Sequence, residues 1–243
     1  MLAADRRSSM LHPDSLVYHA VSGTPLSVEK RAVLERIAPR ARVLEVGAHG
    51  GYFTAALRQR ECRVTAIEVD PRAAALARGQ AAQVIVGDAE DAALWESLRG
   101  PFDVVLFMHV LEHFVDPWAV LTRARAAVGP GGRLLALLPN VACWRIRKAL
   151  FLHGRFEYED TGILDRTHVR FFTLGSGRAL FEDTGWCALR VTPMDVCVPL
   201  ERRLRALPLT RRLADAWHAL AARRAPNLCT EIALFEAVAG EGA

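Results

Sequence analysis

Lysine is nearly absent from this chain: Lys30 and Lys148 are the only two among 31 basic residues. The rest is arginine, so a pI of about 9.0 and a net charge of +4 are weak pointers to nucleic acid. No apolar run approaches the roughly 20 residues that a bilayer span needs. The opening stretch, MLAADRRSSMLHPDS, has charge but no apolar core, so no signal peptide is expected. Cysteine is sparse. Cys62, Cys143, Cys187, Cys197 and Cys229 are odd in number, scattered and without C-x-x-C spacing. That excludes a disulfide framework and fits reduced thiols in a cytoplasmic protein. No repeat and no low-complexity block is present, so solenoids and linker-rich chains are excluded.

What remains is 243 residues, 51% of them apolar. A chain of this length folding as one domain, 1–243, buries roughly 70–75% of its extended surface. After a polar N-terminal arm, Ser27 is placed to cap a helix carrying Val33, Leu34 and Ile37. An alternation of strands and helices then begins. Strands are expected at Arg42–Val46, Arg63–Glu68, Val84–Val86, Asp103–Met108 and Arg133–Leu138. Helices are expected at Tyr52–Arg60, from Pro71 to about Gly79, at Ala92–Leu98 and at Pro117–Val128, the last closed by Gly129-Pro130-Gly131-Gly132. This rhythm predicts an α/β fold: a doubly wound, Rossmann-like, mostly parallel seven-stranded sheet. Residues 140–175 break the rhythm and are expected to form a lid after strand 5. A helix over Gly177–Thr184 and final strands at Ala188–Val198 and Cys229–Val238 complete the chain, with a basic helical insertion, 199–224, between those strands. Ligands in such sheets sit beyond the carboxyl ends of the strands.

The first strand runs into VLEVGAHGGYFT. A dinucleotide fingerprint would require Gly-x-Gly-x-x-Gly from Gly47, but His49 and Tyr52 stand at its second and third glycine places. A histidine where a pyrophosphate should press on the backbone argues against a nicotinamide or flavin cofactor. Carboxylates follow the strands instead. Glu45 lies in the turn, Glu68 ends the second strand where it can accept from ribose hydroxyls, and Asp88 follows the third near an adenine amine. Three carboxylates without a phosphate cradle suit a nucleoside carrying positive charge.

LEVGAHGG, IEVDP (Ile67–Pro71), VGDAED (Val86–Asp91), FDVVLFMHVLEH (Phe102–His113) and PGGRLL (Pro130–Leu135) stand in order across residues 42–139. In these motifs the chain resembles the class I S-adenosylmethionine-dependent methyltransferases, with His49 replacing the middle glycine of the family pattern. The resemblance implies S-adenosyl-L-methionine as cofactor and a cofactor-binding core over 41–139. It implies that Glu45, Gly47, Ala48, His49 and Gly51 frame the methionine part, that Glu68 holds the ribose, that Asp88 and Ala89 border the adenine, and that Met108 lines the site.

Methyl transfer to oxygen or nitrogen needs a place for the acceptor's proton. The candidate bases are His168, His113 and His109. The HVLEH stretch also suggests a helical histidine pair for a metal, but its glutamate is misplaced for that motif, so no metal is expected. Glu112 and His113 can instead orient the loop. The lid sequence GRFEYEDTGILDRTHVRFFT resembles methyltransferases of the ubiquinone and methionine-biosynthesis-like group, especially those of glycan and natural-product pathways. Asp165, Arg166, Tyr158 and Phe172 are its candidate acceptor contacts. Asp165, Arg166 and His168 can alternatively tie the lid to the sheet. His12 and Tyr18 of the arm are candidates to close over the methionine end.

The expectation is a methyltransferase acting on a small molecule or sugar in biosynthesis, with no nucleic-acid partner and a homodimer as a candidate assembly. A non-catalytic binder that keeps the fold is the alternative. The arginine-rich insertion is read as an exposed face, an oligomer contact or a feature that attracts an anionic acceptor.

Overall fold

A computed structural model describes residues 25–199 and 211–240. His12 and Tyr18 of the arm, and Arg202, Arg203 and Arg205 of the insertion, lie outside the described residues. Helix α1 (Val28–Glu35) starts at the expected cap, with the Ser27 side chain accepting from the Lys30 amide. Then come β1 (Arg42–Val46), α2 (Tyr52–Gln59), β2 (Arg63–Glu68), α3 (Pro71–Ala77), β3 (Gln83–Val86), α4 (Ala92–Glu96) and β4 (Phe102–Met108). A 3-10 turn (Leu111–His113), α5 (Pro117–Ala127), β5 (Val128–Pro139), α6 (Trp144–His153), α7 (Leu174–Asp183) and β6 (Trp186–Val196) follow. The last elements are α8 (Arg211–Arg224), α9 (Pro226–Cys229) and β7 (Thr230–Ala239).

The sheet has seven strands in the order β3-β2-β1-β4-β5-β7-β6. β1 to β5 run parallel, and β7 is antiparallel to both β5 and β6. Central strands alternate into two cores. Leu44, Val46, Ile67, Val105 and Phe107 enter one cluster, while Val43, Val64, Val104 and Leu106 enter the other. Both faces are thus covered, which is why these strands read as continuous apolar runs. Helix starts follow capping chemistry: Asp70 before Pro71, Asp91 before Ala92 and Asp116 before Pro117 each accept a backbone N–H.

Two elements differ from the sequence expectation. The Gly129–Gly132 run does not simply close α5. It belongs to β5, whose pairing jumps from Phe102↔Val128 to Val104↔Arg133. The glycines absorb that irregularity, with Gly131 at φ +72°. The lid also contains a regular helix, α6, closed by Gly154 at φ +60°. Its Ile146 packs with Cys143, Ile163 and Leu164 in a small core of the lid's own.

Candidate active site at the carboxyl edge of the sheet

The loop after β1 is fixed from beneath. The Gly47 and Ala48 amides donate to the Ile67 carbonyl at 2.9 and 3.2 Å. Gly47 has φ +74°, and a β-carbon there would collide with the Val110 side chain. Gly51 caps α2 at φ +77°, and its missing β-carbon would stand 2.8 Å from Ala77 Cα. His49 takes the left-handed conformation too, at φ +51°, where glycine is the usual residue. Its amide donates to Glu68 Oε2 at 2.6 Å, and its Nδ1 accepts from the Gly50 amide at 2.8 Å. Glu68 Oε1 accepts from the Asp70 amide at 2.9 Å. One buried carboxylate therefore joins the β1 and β2 loops.

Glu45 is buried, and Thr54 Oγ1 donates to it at 2.6 Å. Burial pushes its carboxyl up to about 7, against the lowering effects of Thr54 and Lys30. Lys30 comes from α1, lies 5.0 Å from the Tyr52 ring centroid, and is itself shifted down by burial. Asp88 Oδ1 accepts from the Glu90 amide at 2.8 Å, and the Ala89 carbonyl accepts from Trp95 Nε1 at 2.7 Å. Sequence reasoning missed Thr54 and Lys30. Their signal was a hydroxyl in the first turn after the glycine loop and one of only two lysines.

A second cluster joins the β4 loop to the lid. Glu112 is fully buried, and neither carboxyl oxygen finds a hydrogen-bond partner among the described residues. Its Oε1 lies 3.8 Å from His109 Nδ1 and 3.9 Å from His168 Nε2. Its backbone carbonyl accepts from the Val169 and Arg170 amides, both at 3.0 Å. Burial pushes the Glu112 carboxyl up to about 8. Desolvation holds His109 and His113 down near 4 and lowers His168 as well. His109 keeps 31% of its side chain exposed and His113 is also exposed.

Hydrogen bonds assign the tautomers. His168 Nδ1 lies 3.1 Å from the Ile163 carbonyl, an acceptor, so the proton sits on Nδ1 and Nε2 carries the lone pair. His113 Nδ1 meets the Thr167 carbonyl at 3.3 Å and Thr167 Oγ1 at 3.2 Å. That hydroxyl donates to Asp165 Oδ1 at 2.6 Å, so it accepts from the imidazole. The rings of His113 and His168 pack edge to face with centroids 4.8 Å apart. Glu112, His113 and His168 also place one ligand atom each within 4.8 Å of one another.

The structure thus gathers His109, His113, His168 and Asp165, with Glu112 at their centre. Tyr158 stacks with Phe156 and Phe171 on the lid, with centroids 6.0 and 6.2 Å away. Arg166 stands apart, half-exposed and paired with Asp160. Phe172 lies in the main core beneath the lid. Asn140 was not singled out from the sequence. Buried after β5, its Nδ2 donates to the Asn227 and Thr230 carbonyls at 2.8 and 2.7 Å, tying the lid's root to the start of β7.

A glycine turn after β1, an acid within β1 (Glu45, which pairs in the strand and does not lie in the turn), one at the end of β2 and one after β3, and a reversed β7 between β5 and β6 define a class I S-adenosylmethionine-dependent methyltransferase. The profile of the methyltransferase-domain family matches residues 8–191, and the chain belongs to that family. Ubiquinone biosynthesis O-methyltransferase of Xanthomonas campestris pv. campestris is 36% identical over 109 residues, covering 42% of this chain and 45% of that enzyme. Its counterpart in Xylella fastidiosa is 37% identical over 106 residues, covering 41% of this chain and 42% of that one. The match therefore spans under half the length of these relatives. Among solved structures, a methyltransferase from Archaeoglobus fulgidus superposes with TM-score 0.60 at 14% identity, over 86% of this chain and 94% of that one. Haemonchus contortus phosphoethanolamine N-methyltransferase 2, in complex with S-adenosyl-L-methionine, gives TM-score 0.54 at 17% identity, over 88% of this chain and 52% of that one. These superpositions speak to the fold. S-adenosylmethionine is the cofactor of this family, and no helix among the described residues is long and apolar enough to cross a membrane.

Proposed function

We propose that the chain transfers a methyl group from S-adenosylmethionine to an oxygen or nitrogen of a small metabolite or sugar. Ubiquinone O-methyltransferases among the relatives favour oxygen, while the lid sequence favours a glycan or natural-product acceptor in the cytoplasm. Residues 41–139 hold the cofactor and 140–175 select the acceptor. The fit rests on the turn's backbone, whose course Gly47 and Gly51 fix at positive φ, packed too closely on Val110 and Ala77 for any side chain. The set of acids suits its two positive charges. Glu45 faces the ammonium end, Lys30 the carboxylate, Glu68 the ribose, and Asp88 with Ala89 the adenine. His49 shapes the turn, and Met108 lines the methyl side.

S-adenosylmethionine supplies an electrophilic methyl on a sulfur that leaves as a neutral sulfide, so positioning provides much of the acceleration. The lid residues hold the acceptor, and His168 Nε2 takes its proton. The observation that carries this reading is the buried His168 imidazole, with Nδ1 anchored on Ile163 and Nε2 turned toward the β4 loop. His113 and His109 are the other bases of the cluster. The reading requires no metal.

The test is a methyl-transfer screen over sugars and small metabolites, with calorimetric titration of S-adenosylhomocysteine alongside. His168→Ala is expected to bind S-adenosylhomocysteine normally and to lose about 100-fold or more in turnover. Near-wild-type turnover on the true acceptor would remove His168 from the chemistry. No detectable S-adenosylhomocysteine binding would return the chain to a non-catalytic binder.

A further inference from the structure

Helices α6 and α8 expose a chemistry that methyl transfer does not use. On α6, Trp144, Lys148 and Phe151 follow at i, i+4 and i+7 and so share one face. Phe151 is 88% exposed, and Leu152 beside it is 56% exposed. The helix is anchored on its other side by buried Ile146. It carries Arg145, Arg147 and Lys148 and no carboxylate. On α8 the same spacing recurs in Leu213, Trp217 and Leu220, all exposed. Four arginines and one aspartate share that helix.

Both helices belong to one edge of the molecule. α6 leaves the carboxyl end of β5, and Arg145 Nε lies 3.8 Å from Glu231 Oε1 at the start of β7. α8 runs through α9 into that same start, where Asn227 and Thr230 accept from Asn140. Scattered exposed apolar residues are ordinary, but two stripes at one edge mark an interaction surface. Cations interleave with the apolar residues on α6 and flank them at both ends of α8.

We propose that α6 and α8 rest on the surface of an anionic lipid bilayer. Aromatic and leucine side chains enter the headgroup boundary while arginine and lysine meet lipid phosphates. At ten residues, α6 is far too short to span and would lie flat. Charge complementarity selects this occupant over a second copy. A two-fold contact of α6 with itself would set Arg147 and Lys148 against like charges, whereas an anionic surface attracts each by about 1 kcal/mol, a roughly fivefold gain.

The test is co-sedimentation of the full chain with vesicles of equal parts phosphatidylglycerol and phosphatidylcholine, against phosphatidylcholine alone. Binding is expected only to the anionic vesicles and should weaken with salt. Phe151→Ser should lower partitioning about tenfold, and Lys148→Ala about fivefold. Both positions are exposed, and unchanged S-adenosylhomocysteine binding would show that the variants are folded and the cofactor site intact. Absence of binding, equal binding to both vesicle types, or variants that bind like wild type would each overturn the proposal. A lipid-free dimer that Phe151→Ser dissociates would assign the face to a second copy and overturn it as well.

Discussion

Glu112 Oε1 stands 3.9 Å from His168 Nε2, across the joint between the β4 loop and the lid. The pair has the composition of a salt bridge but not its charge. The carboxyl keeps its proton up to about pH 8, while burial lowers the His168 imidazole and favours its neutral form. At neutral pH an uncharged acid therefore faces uncharged imidazoles on two sides, His109 being the other. A carboxyl O–H can donate to a bare Nε2, so a closure of about 1 Å would convert a contact into a hydrogen bond. That bond would occupy the only lone pair of His168, so the imidazole is free to take a proton only while the two groups stay at contact distance.

That arrangement predicts a pH signature for Glu112→Gln. The folded chain holds the Glu112 proton up to about pH 8, and the ordinary value is 4.5. The stability this provides is fully present below about 4.5 and is lost as pH rises through about 8, on the order of 1.4 kcal/mol per pH unit. His109 and His113 act oppositely: their stabilisation is full above 6.5 and is lost as pH falls toward about 4. Thermal melts should show the wild type losing stability from pH 6.5 to 8 and Glu112→Gln losing less. Parallel curves would mean that Glu112 is ionised in the folded protein.

Glu68→Ala removes the acceptor for two backbone amides, those of His49 and Asp70. Each hydrogen bond to a charged group contributes about 1.5–3 kcal/mol. Urea unfolding should report a loss of about 3–6 kcal/mol, and S-adenosylhomocysteine affinity should fall with it as the glycine loop loosens. Glu68→Gln keeps one acceptor oxygen and should lie between. A stable Ala variant with intact affinity would show that the loop holds itself.

Legibility in the sequence followed burial. β1, β2 and β4 were readable because both faces are covered and apolar residues dominate their buried positions. The acids after the strands were readable because the fold places ligands there. β5 hid its first residues behind Gly-Pro-Gly-Gly, a run that usually signals a turn and here forms an irregular strand start. α6 was missed because Leu150, Phe151 and Leu152 are contiguous and exposed, which hides the inward period carried by Ile146. The meeting of Glu112 with His168 is tertiary. No spacing encodes it, because it depends on Val169 and Arg170 donating to the Glu112 carbonyl.

His49→Gly sets two effects against each other. His49 occupies a left-handed backbone at φ +51°, which costs a non-glycine residue about 1–2 kcal/mol. Glycine relieves that strain but adds about 0.5–1 kcal/mol of unfolded-state entropy. It also removes the Nδ1 acceptor for the Gly50 amide. The amide that donates to Glu68 is untouched. Net stability should change by less than about 1 kcal/mol, with S-adenosylhomocysteine affinity retained. A loss of binding would show that the imidazole itself contacts the cofactor.

Glu45 should couple cofactor binding to a proton. Burial holds its carboxyl near 7 in the ligand-free chain, with Thr54 donating to it at 2.6 Å. A cationic amino acid group arriving beside it favours the ionised form and lowers that value. Binding below pH 7 must then release a proton, so affinity should climb as pH rises from about 5.5 to 7, at most about tenfold per unit. Above that range Glu45 is already ionised and the dependence should level off. Calorimetric titration of S-adenosylhomocysteine in buffers of different ionisation enthalpy reads the released proton directly. Glu45→Gln keeps an acceptor for Thr54 and cannot ionise, so its affinity should be lower and flat across the same window. A wild-type titration with no proton release at pH 6.5 would show that Glu45 is either ionised before the ligand arrives or untouched by it.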